Sequence, residues 1–322
     1  MVQFGLEVIF ADSPNKKSLQ IDLTSAESYV LDHRYFGQLT RREQDFDPTK
    51  SPTFTEVNNN FSKAYFRPYD KQDIAVGGIV GKDKFNFIFE DIEGEFAVIN
   101  KTDNNKVVQG LDGRYYTGRI GFSRAETNVA DLRNAIFASH VNHSLCMYVS
   151  PRLDRRGAIV SVSVGDESYG KGSEFITKFD AESNDQGHWQ VPVTSIKIAR
   201  YVYQAHFPGI LSTTTDKIGV PAPVFNGLVR AMNATFDREV NSYVLQCIDE
   251  FPDPLRINVN FKELEIRFDS YTKRVVDKCV LNMIPLKERV VILGAPFFNE
   301  HVICLDFINE TVTLFYVPPF DY

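Results

Sequence analysis

The feature that most limits the fold is a two-residue alternation of apolar and polar side chains, repeated in short runs along the whole chain. GLEVIF at 5–10, LQIDL at 19–23, FNFIF at 85–89, IVSVSV at 159–164, VPVTSI at 191–196 and VTLFYV at 312–317 are examples. Successive side chains of an extended strand point to opposite faces, so such runs bury one face of a sheet and wet the other. Ser13-Pro14-Asn15 and Gly77-Gly78 interrupt the runs as turn formers. Two stretches read better as helices: 131–140 (DLRNAIFASH), with Asn128 as the expected cap, and 223–232 (PVFNGLVRAM), with proline near its start. Many short strands with two small helices make an all-β protein, and 322 residues are too many for one sandwich. The polar, glycine-bearing stretch at 165–172 (GDESYGKG) is the natural boundary, giving expected lobes at 1–166 and 167–322.

No run of about 18 apolar residues occurs, so no membrane partner is expected. The first residues lack the charged start, apolar core and cleavage site of a secretory leader. A cytoplasmic location is therefore expected, or a secreted one if the sequence is a trimmed piece. The net charge is −7, and acidic residues interrupt or flank most of the basic groups at 41–42, 114–124 and 152–156. That balance argues against a nucleic-acid footprint. Four cysteines are too few for a disulfide-built scaffold, and none form a C-x-x-C pair. Cys146 and Cys304 lie inside apolar runs and read as buried free thiols, in keeping with the cytoplasm. Sequons at Asn60, Asn100, Asn142, Asn233 and Asn309 point the other way, but so short a motif arises by chance in an Asn-rich chain. His140 and His143 have H-x-x-H spacing without a glutamate or third ligand, so neither a metal nor a cofactor is expected. The hydroxyl run at 212–215 lacks the G-x-S-x-G elbow of a serine hydrolase.

A weak internal similarity links the two halves. Residues 19–31 (LQIDLTSAESYVL) and 209–221 (GILSTTTDKIGVP) both read as a strand, a Ser/Thr-rich turn and a return to an apolar segment. Other landmarks follow in order: Phe46-Asp47-Pro48 with Ser51 and Phe54, GIVGKD at 78–83, Asp112-Gly113, and Gly187-His188-Trp189. Cys247 with Cys279, ILGAPFF at 292–298 and VICLDF at 302–307 complete the series. In this order and over nearly the whole length, the chain resembles the pepsin-like aspartic proteases. The two similar segments resemble that family's duplicated hydrophobic-hydrophobic-Asp-Thr-Gly-Ser/Thr loop. The others resemble its F-x-P…S-x-T-F segment, the strand leaving its flap, the D-G before its first psi-shaped crossing, its G-x-W entry and its I-L-G-D-x-F…V-F-D ending. The resemblance implies a bilobal all-β fold with a few short helices. It also implies a Cys247–Cys279 disulfide in an oxidising compartment, but it does not by itself give an activity.

That family's chemistry needs two carboxyl groups sharing one proton: the ionised one deprotonates a water while the protonated one polarises the carbonyl. Glycines beside them let the two backbones approach. Here Ser212 takes the place of the second aspartate and Thr214 that of its glycine, and a serine hydroxyl cannot share the proton. The first loop admits two registers. The preferred one keeps Leu19, Ile21 and Leu23 on the inward face and puts Thr24 at the aspartate and Ala26 at the glycine. The rival, shifted by two, puts Asp22 at the aspartate and Thr24 at the glycine; neither restores a pair of carboxyls. Asp216 reads as a turn or cap carboxylate, and Glu27 alone offers little as a base. Tyr65 carries over as the flap tyrosine, with Arg67 and Tyr69 following where the family has Y-G-T-G-S. These three are the peptide-cleft residues the resemblance implies. Where the family has an apolar pair and a glycine after its D-G, Arg114-Tyr115-Tyr116 follow Asp112-Gly113, and Arg114 is expected to face a partner. The expected function is a non-catalytic interaction or scaffold module with protein partners, a second copy of the chain among them. A peptide-capturing cleft and a secreted inactive relative are the alternatives.

Overall fold

The computed structural model describes residues 4–40, 45–65, 74–87, 90–102, 116–150, 159–165, 173–247 and 253–316. Arg67, Tyr69, Asp112, Gly113, Arg114 and Tyr115 lie outside them. Among the described residues the protein is mostly β with five short helices, and it divides into two compact units. One comprises 3–143 and 185–188; the other comprises 144–184 and 189–322.

In the first unit the alternating runs become β1 (Gly5–Phe10), β2 (Lys17–Asp22), β3 (Tyr29–Leu31), β4 (Thr55–Tyr65), β5 (Ile74–Phe87), β6 (Glu90–Thr102) and β7 (Gly118–Gly121). They form one seven-stranded sheet in the order β1-β2-β7-β3-β6-β5-β4, and β1 also pairs with β5. Helix α1 (His33–Thr40), absent from the sequence expectations, follows β3, and α2 (Leu132–Phe137) packs on β6. The cap of α2 is Asp131, whose side chain accepts from Asn134 N, rather than Asn128.

Burial explains the motif around Phe46. Its fully buried ring lies edge-on to Phe10 at 5.2 Å and to Phe96 at 5.3 Å. Beside it the fully buried Asp83 accepts from Ser51 Oγ at 2.9 Å, from Thr53 Oγ1 and from Lys84 N at 2.8 Å. Those donors compensate the loss of water at Oδ1, while Oδ2 is buried without a hydrogen-bond partner.

The second unit begins with β8 (Ser144–Ser150), β9 (Ile159–Val164), β10 (Glu174–Asp180), β11 (Gln190–Ile198), β12 (Tyr201–Leu211), β13 (Ile218–Pro221) and α3 (Ala222–Ala231). The expected boundary between 166 and 167 falls between β9 and β10, inside this unit. It continues with β14 (Thr235–Asp237), β15 (Ser242–Gln246), β16 (Leu255–Val259), β17 (Lys262–Ile266), α4 (Phe268–Tyr271), β18 (Thr272–Val275), β19 (Lys278–Leu281) and β20 (Met283–Leu286). Strand β21 (Val291–Leu293), α5 (Ala295–Phe298), β22 (His301–Asp306) and β23 (Thr311–Tyr316) complete it. Three sheets result, ordered β10-β23-β22-β8-β9, β17-β16-β11-β12-β21-β13-β20 and β14-β15-β19-β18. Trp189 is fully buried in this unit, edge-on to Phe307 at 4.9 Å. No helix among the described residues is long and apolar enough to cross a membrane.

The free-thiol reading of Cys146 and Cys304 is overturned. Strands β8 and β22 are antiparallel neighbours that place Cys146 directly opposite Cys304, and the two are bonded across a sequence separation of 158. Each apolar run was read by itself, which hides a pairing between strands so far apart in sequence. A cross-link over a loop of this length contributes about 5 kcal/mol in a chain-entropy account. Cys247 and Cys279 form a second disulfide, and no free cysteine remains.

One buried histidine makes the second unit sensitive to acid. His301, at the start of β22, donates from Nδ1 to the Phe297 carbonyl at 3.0 Å and is almost fully buried. Burial, against that hydrogen bond, depresses its pKa to about 4 from 6.5. The unfolded chain therefore takes up this proton first, so the contribution to stability is present above pH 6.5 and is lost as the pH falls to about 4. The span corresponds to about 3 kcal/mol. Replacing His301 with phenylalanine is expected to flatten the acid limb of the unfolding midpoint, measured in urea as a function of pH, by about that amount. An unchanged limb would assign the acid sensitivity to other groups.

Candidate functional site

Two loops carry the residues singled out in the sequence, one in each unit, and each is built the same way. In the first unit β2 runs parallel to β7, with Ile21 opposite Ile120 and Asp22 opposite Gly121. The chain then turns and returns as β3, antiparallel to β7, with Tyr29 opposite Arg119. In the second unit β12 runs parallel to β21, with Leu211 opposite Leu293, and returns as β13 with Gly219 opposite Ile292. Matching Ile21 to Leu211 brings Ile120 onto Leu293, Arg119 onto Ile292 and Tyr29 onto Gly219, with the same spacing throughout. Asp22 then corresponds to Ser212, Thr24 to Thr214 and Gly121 to Gly294. The ladders thus favour the rival register, in which Asp22 and not Thr24 is the counterpart of Ser212. The pattern of Leu19, Ile21 and Leu23 misled because β2 ends at Asp22, so Leu23 is buried from a turn and not from the strand face.

Both loops lie tight against a glycine. A Cβ on Gly121 would strike the carbonyls of Ala26 and Ser25, and one on Gly294 those of Lys217 and Thr215. Only glycine admits main chain at that separation.

The first loop surrounds a buried ion pair. Asp22 is completely buried, and its Oδ1 accepts from Thr24 N at 2.8 Å and Thr24 Oγ1 at 2.6 Å. Its Oδ2 pairs with Arg119 Nη1 at 3.1 Å. The guanidinium also lies 5.5 Å from the centre of the Tyr65 ring. Burial works against the charge on Arg119, but Tyr29, Asp22 and Tyr65 outweigh it and hold its pKa above the usual arginine value. His188, also buried, lies in the field of Asp22, and burial draws its pKa below the ordinary imidazole value.

Tyr65 is part of the core. Its ring meets Tyr29 edge-on at 5.0 Å, it packs with Phe36, Phe61 and Ile74, and its hydroxyl donates to the Glu27 carbonyl at 3.4 Å. Burial raises its pKa well above the usual phenol value. Glu27 itself pairs with Lys63 at 2.7 Å, and Ala26 is buried in the turn.

The second loop has no such charge at its centre. Ser212 and Thr215 are fully buried, and Ser212 Oγ lies 3.2 Å from Thr214 Oγ1, either able to donate. Asp216 follows; burial raises its pKa against the nearby Lys217. His143 stacks on Phe137 with ring centres 5.2 Å apart.

Sequence reading missed Arg119. The available signal was the stretch Thr117-Gly118-Arg119-Ile120-Gly121, in which two glycines bracket the arginine. A Cβ on Gly118 would strike the Tyr29 carbonyl, so the main chain beside Arg119 runs against β3.

With this geometry in place, comparison with known proteins is informative. A sequence model described as eukaryotic aspartyl protease matches residues 6–316. Rhizopuspepsin of Rhizopus chinensis is 23% identical over 288 residues, which cover 84% of this chain and 68% of the relative. Rhizopuspepsin-1 of Rhizopus niveus is 23% identical over 319 residues, covering 94% and 76% respectively.

Removing one half of the buried pair should cost far more than removing both. Arg119→Leu strands the Asp22 carboxylate without a counter-charge and is expected to lose about 3–5 kcal/mol of stability. Asp22→Asn combined with Arg119→Leu should recover most of that loss in a double-mutant cycle read by urea unfolding. Additive losses would show that the two side chains do not depend on each other.

Proposed function

Because the chain belongs to the eukaryotic aspartyl protease family, we propose that it keeps the family fold without the family chemistry and works as a protein-interaction module. The observation that carries this reading is the state of Asp22. One of its oxygens is taken by the two donors of Thr24 and the other by Arg119. At the corresponding position of the second unit stands Ser212, whose hydroxyl can neither share a carboxyl proton nor act as a base near neutrality. Ion pairing with an arginine does the opposite of what a shared-proton pair requires, since it matches the charge instead of leaving it to bind a water.

Protein is the partner class we favour. Phe175, Phe236, Phe261 and Val276 are large apolar side chains left exposed on the second unit, each of which a protein partner could cover. A second copy of the chain remains within this proposal. For the compartment, we propose an oxidising one. The cytoplasmic expectation leaned on free thiols at Cys146 and Cys304, and those residues are bonded.

The test is incubation of the purified protein with an unfolded protein substrate from acidic to neutral pH, with and without a statine-type inhibitor. The expected outcome is intact substrate and no change in melting temperature on adding the inhibitor. Ser212→Asp alone is expected to remain inactive, because Arg119 still holds Asp22 and Thr214 still crowds the loop. Inhibitor-sensitive cleavage by the unaltered chain would refute the reading.

A further inference from the structure

We propose that Asn60, Asn142 and Asn233 carry N-linked glycans and that Asn100, which has the same motif, does not. All four are followed at the second position by serine or threonine with no intervening proline. The proposal rests on the oxidising-compartment reading above and is independent of whether the chain is catalytic. The donor is an oligosaccharide on a lipid pyrophosphate. The asparagine Nδ2 forms a bond to the first sugar's C1, the sugar–phosphate bond breaks, and the amide proton leaves with the lipid pyrophosphate. A glycan is bulky and hydrophilic, so the folded protein must hold the modified nitrogen toward water.

The fold sorts the motifs by that criterion. Asn60 is exposed on β4, the edge strand of the first sheet. The register there runs from Asn58 opposite Val80 to Phe61 opposite Gly78, so Asn59 and Asn60 together oppose Ile79 in a bulge. Asn142 is exposed in the bend between α2 and β8, next to Val141, which is 94% exposed. Asn233 is exposed in the turn after α3 with φ +54°, a left-handed conformation that asparagine tolerates and that turns its side chain out of the helix line. Asn100 is half-buried within β6, which lies between β3 and β5, and its Oδ1 is buried without a hydrogen-bond partner. With its amide oxygen held inside the sheet, the Asn100 side chain stands less open to water than the three exposed asparagines, and a sugar there is disfavoured. Asn309 is exposed, but its Nδ2 donates to Asp306 at 2.7 Å and closes the β22–β23 turn, so it does not enter the proposal.

The disulfides are what the compartment reading rests on. Both cysteine pairs are bonded, and the compartment that forms disulfides in eukaryotic cells is also the one that attaches these glycans.

The experiment isolates the full chain from the cells that make it, treats it with peptide-N-glycosidase, and maps the sites by mass spectrometry as asparagine-to-aspartate conversions. Conversion at Asn60, Asn142 and Asn233 with none at Asn100 is expected. The variants N60Q, N142Q and N233Q should each remove one step of the electrophoretic ladder, and N100Q none. A protein whose mobility the enzyme leaves unchanged would overturn the proposal, as would a glycan on Asn100 or its absence from any one of the three. Cleavage assays on the same sample report on catalysis separately, so the two readings fail independently.

Discussion

Each unit depends on a place where two stretches of main chain pass too close for a side chain to stand between them. In the first unit Gly121 lies under the carbonyls of Ser25 and Ala26, and in the second Gly294 lies under those of Thr215 and Lys217. This closeness lets a strand run parallel to its neighbour, turn, and come back antiparallel to the same neighbour. That path makes Asp22 and Ser212 buried residues at the ends of strands, not exposed residues on hairpins. An alanine at either glycine would have to push the whole loop away, and the hydrogen bonds that hold Thr24 and Thr214 would go with it.

What fills the two loops differs, and the difference follows from one side chain on the crossing strand. Where the second unit places Ile292, the first places Arg119, and a buried guanidinium must have an anion beside it. Asp22 supplies it. The aspartate at this place in the first loop thus answers to the arginine on the crossing strand, and the second loop, with Ile292 there instead, carries Ser212. Thr24 and Thr214 occupy matching positions, but Thr24 donates to a carboxylate whereas Thr214 shares a proton with another hydroxyl.

The architecture was legible because period-two alternation survives in strands such as β1, β11 and β16, and Pro223 stands in the first turn of α3. The short helix at 33–40 was not, since eight residues (HRYFGQLT) give a pattern too short to stand out beside strands. The second loop could be read from Ser212 and Thr214 because Ile210, Leu211 and Pro221 frame it. The first could not, because Leu23 continues the apolar alternation one residue beyond the strand that generated it. Arg119 was hidden for a different reason: an arginine in a sequence looks like surface, and only the strands around it show that it is inside. Cys146 and Cys304 share that fault, as partners whose meaning lies in a contact across most of a domain.

The bond between Cys146 and Cys304 also changes what the chain is as a piece of string. The strands it joins lie near the start and the end of the second unit, so most of that unit is the inside of a closed ring. Pulled from its two ends, the protein can lengthen only outside the ring, and everything within it stays slack. A molecular motor that draws polypeptide through a narrow pore would reach the bond and have to pass two strands abreast, or stall until a reductant opens the ring.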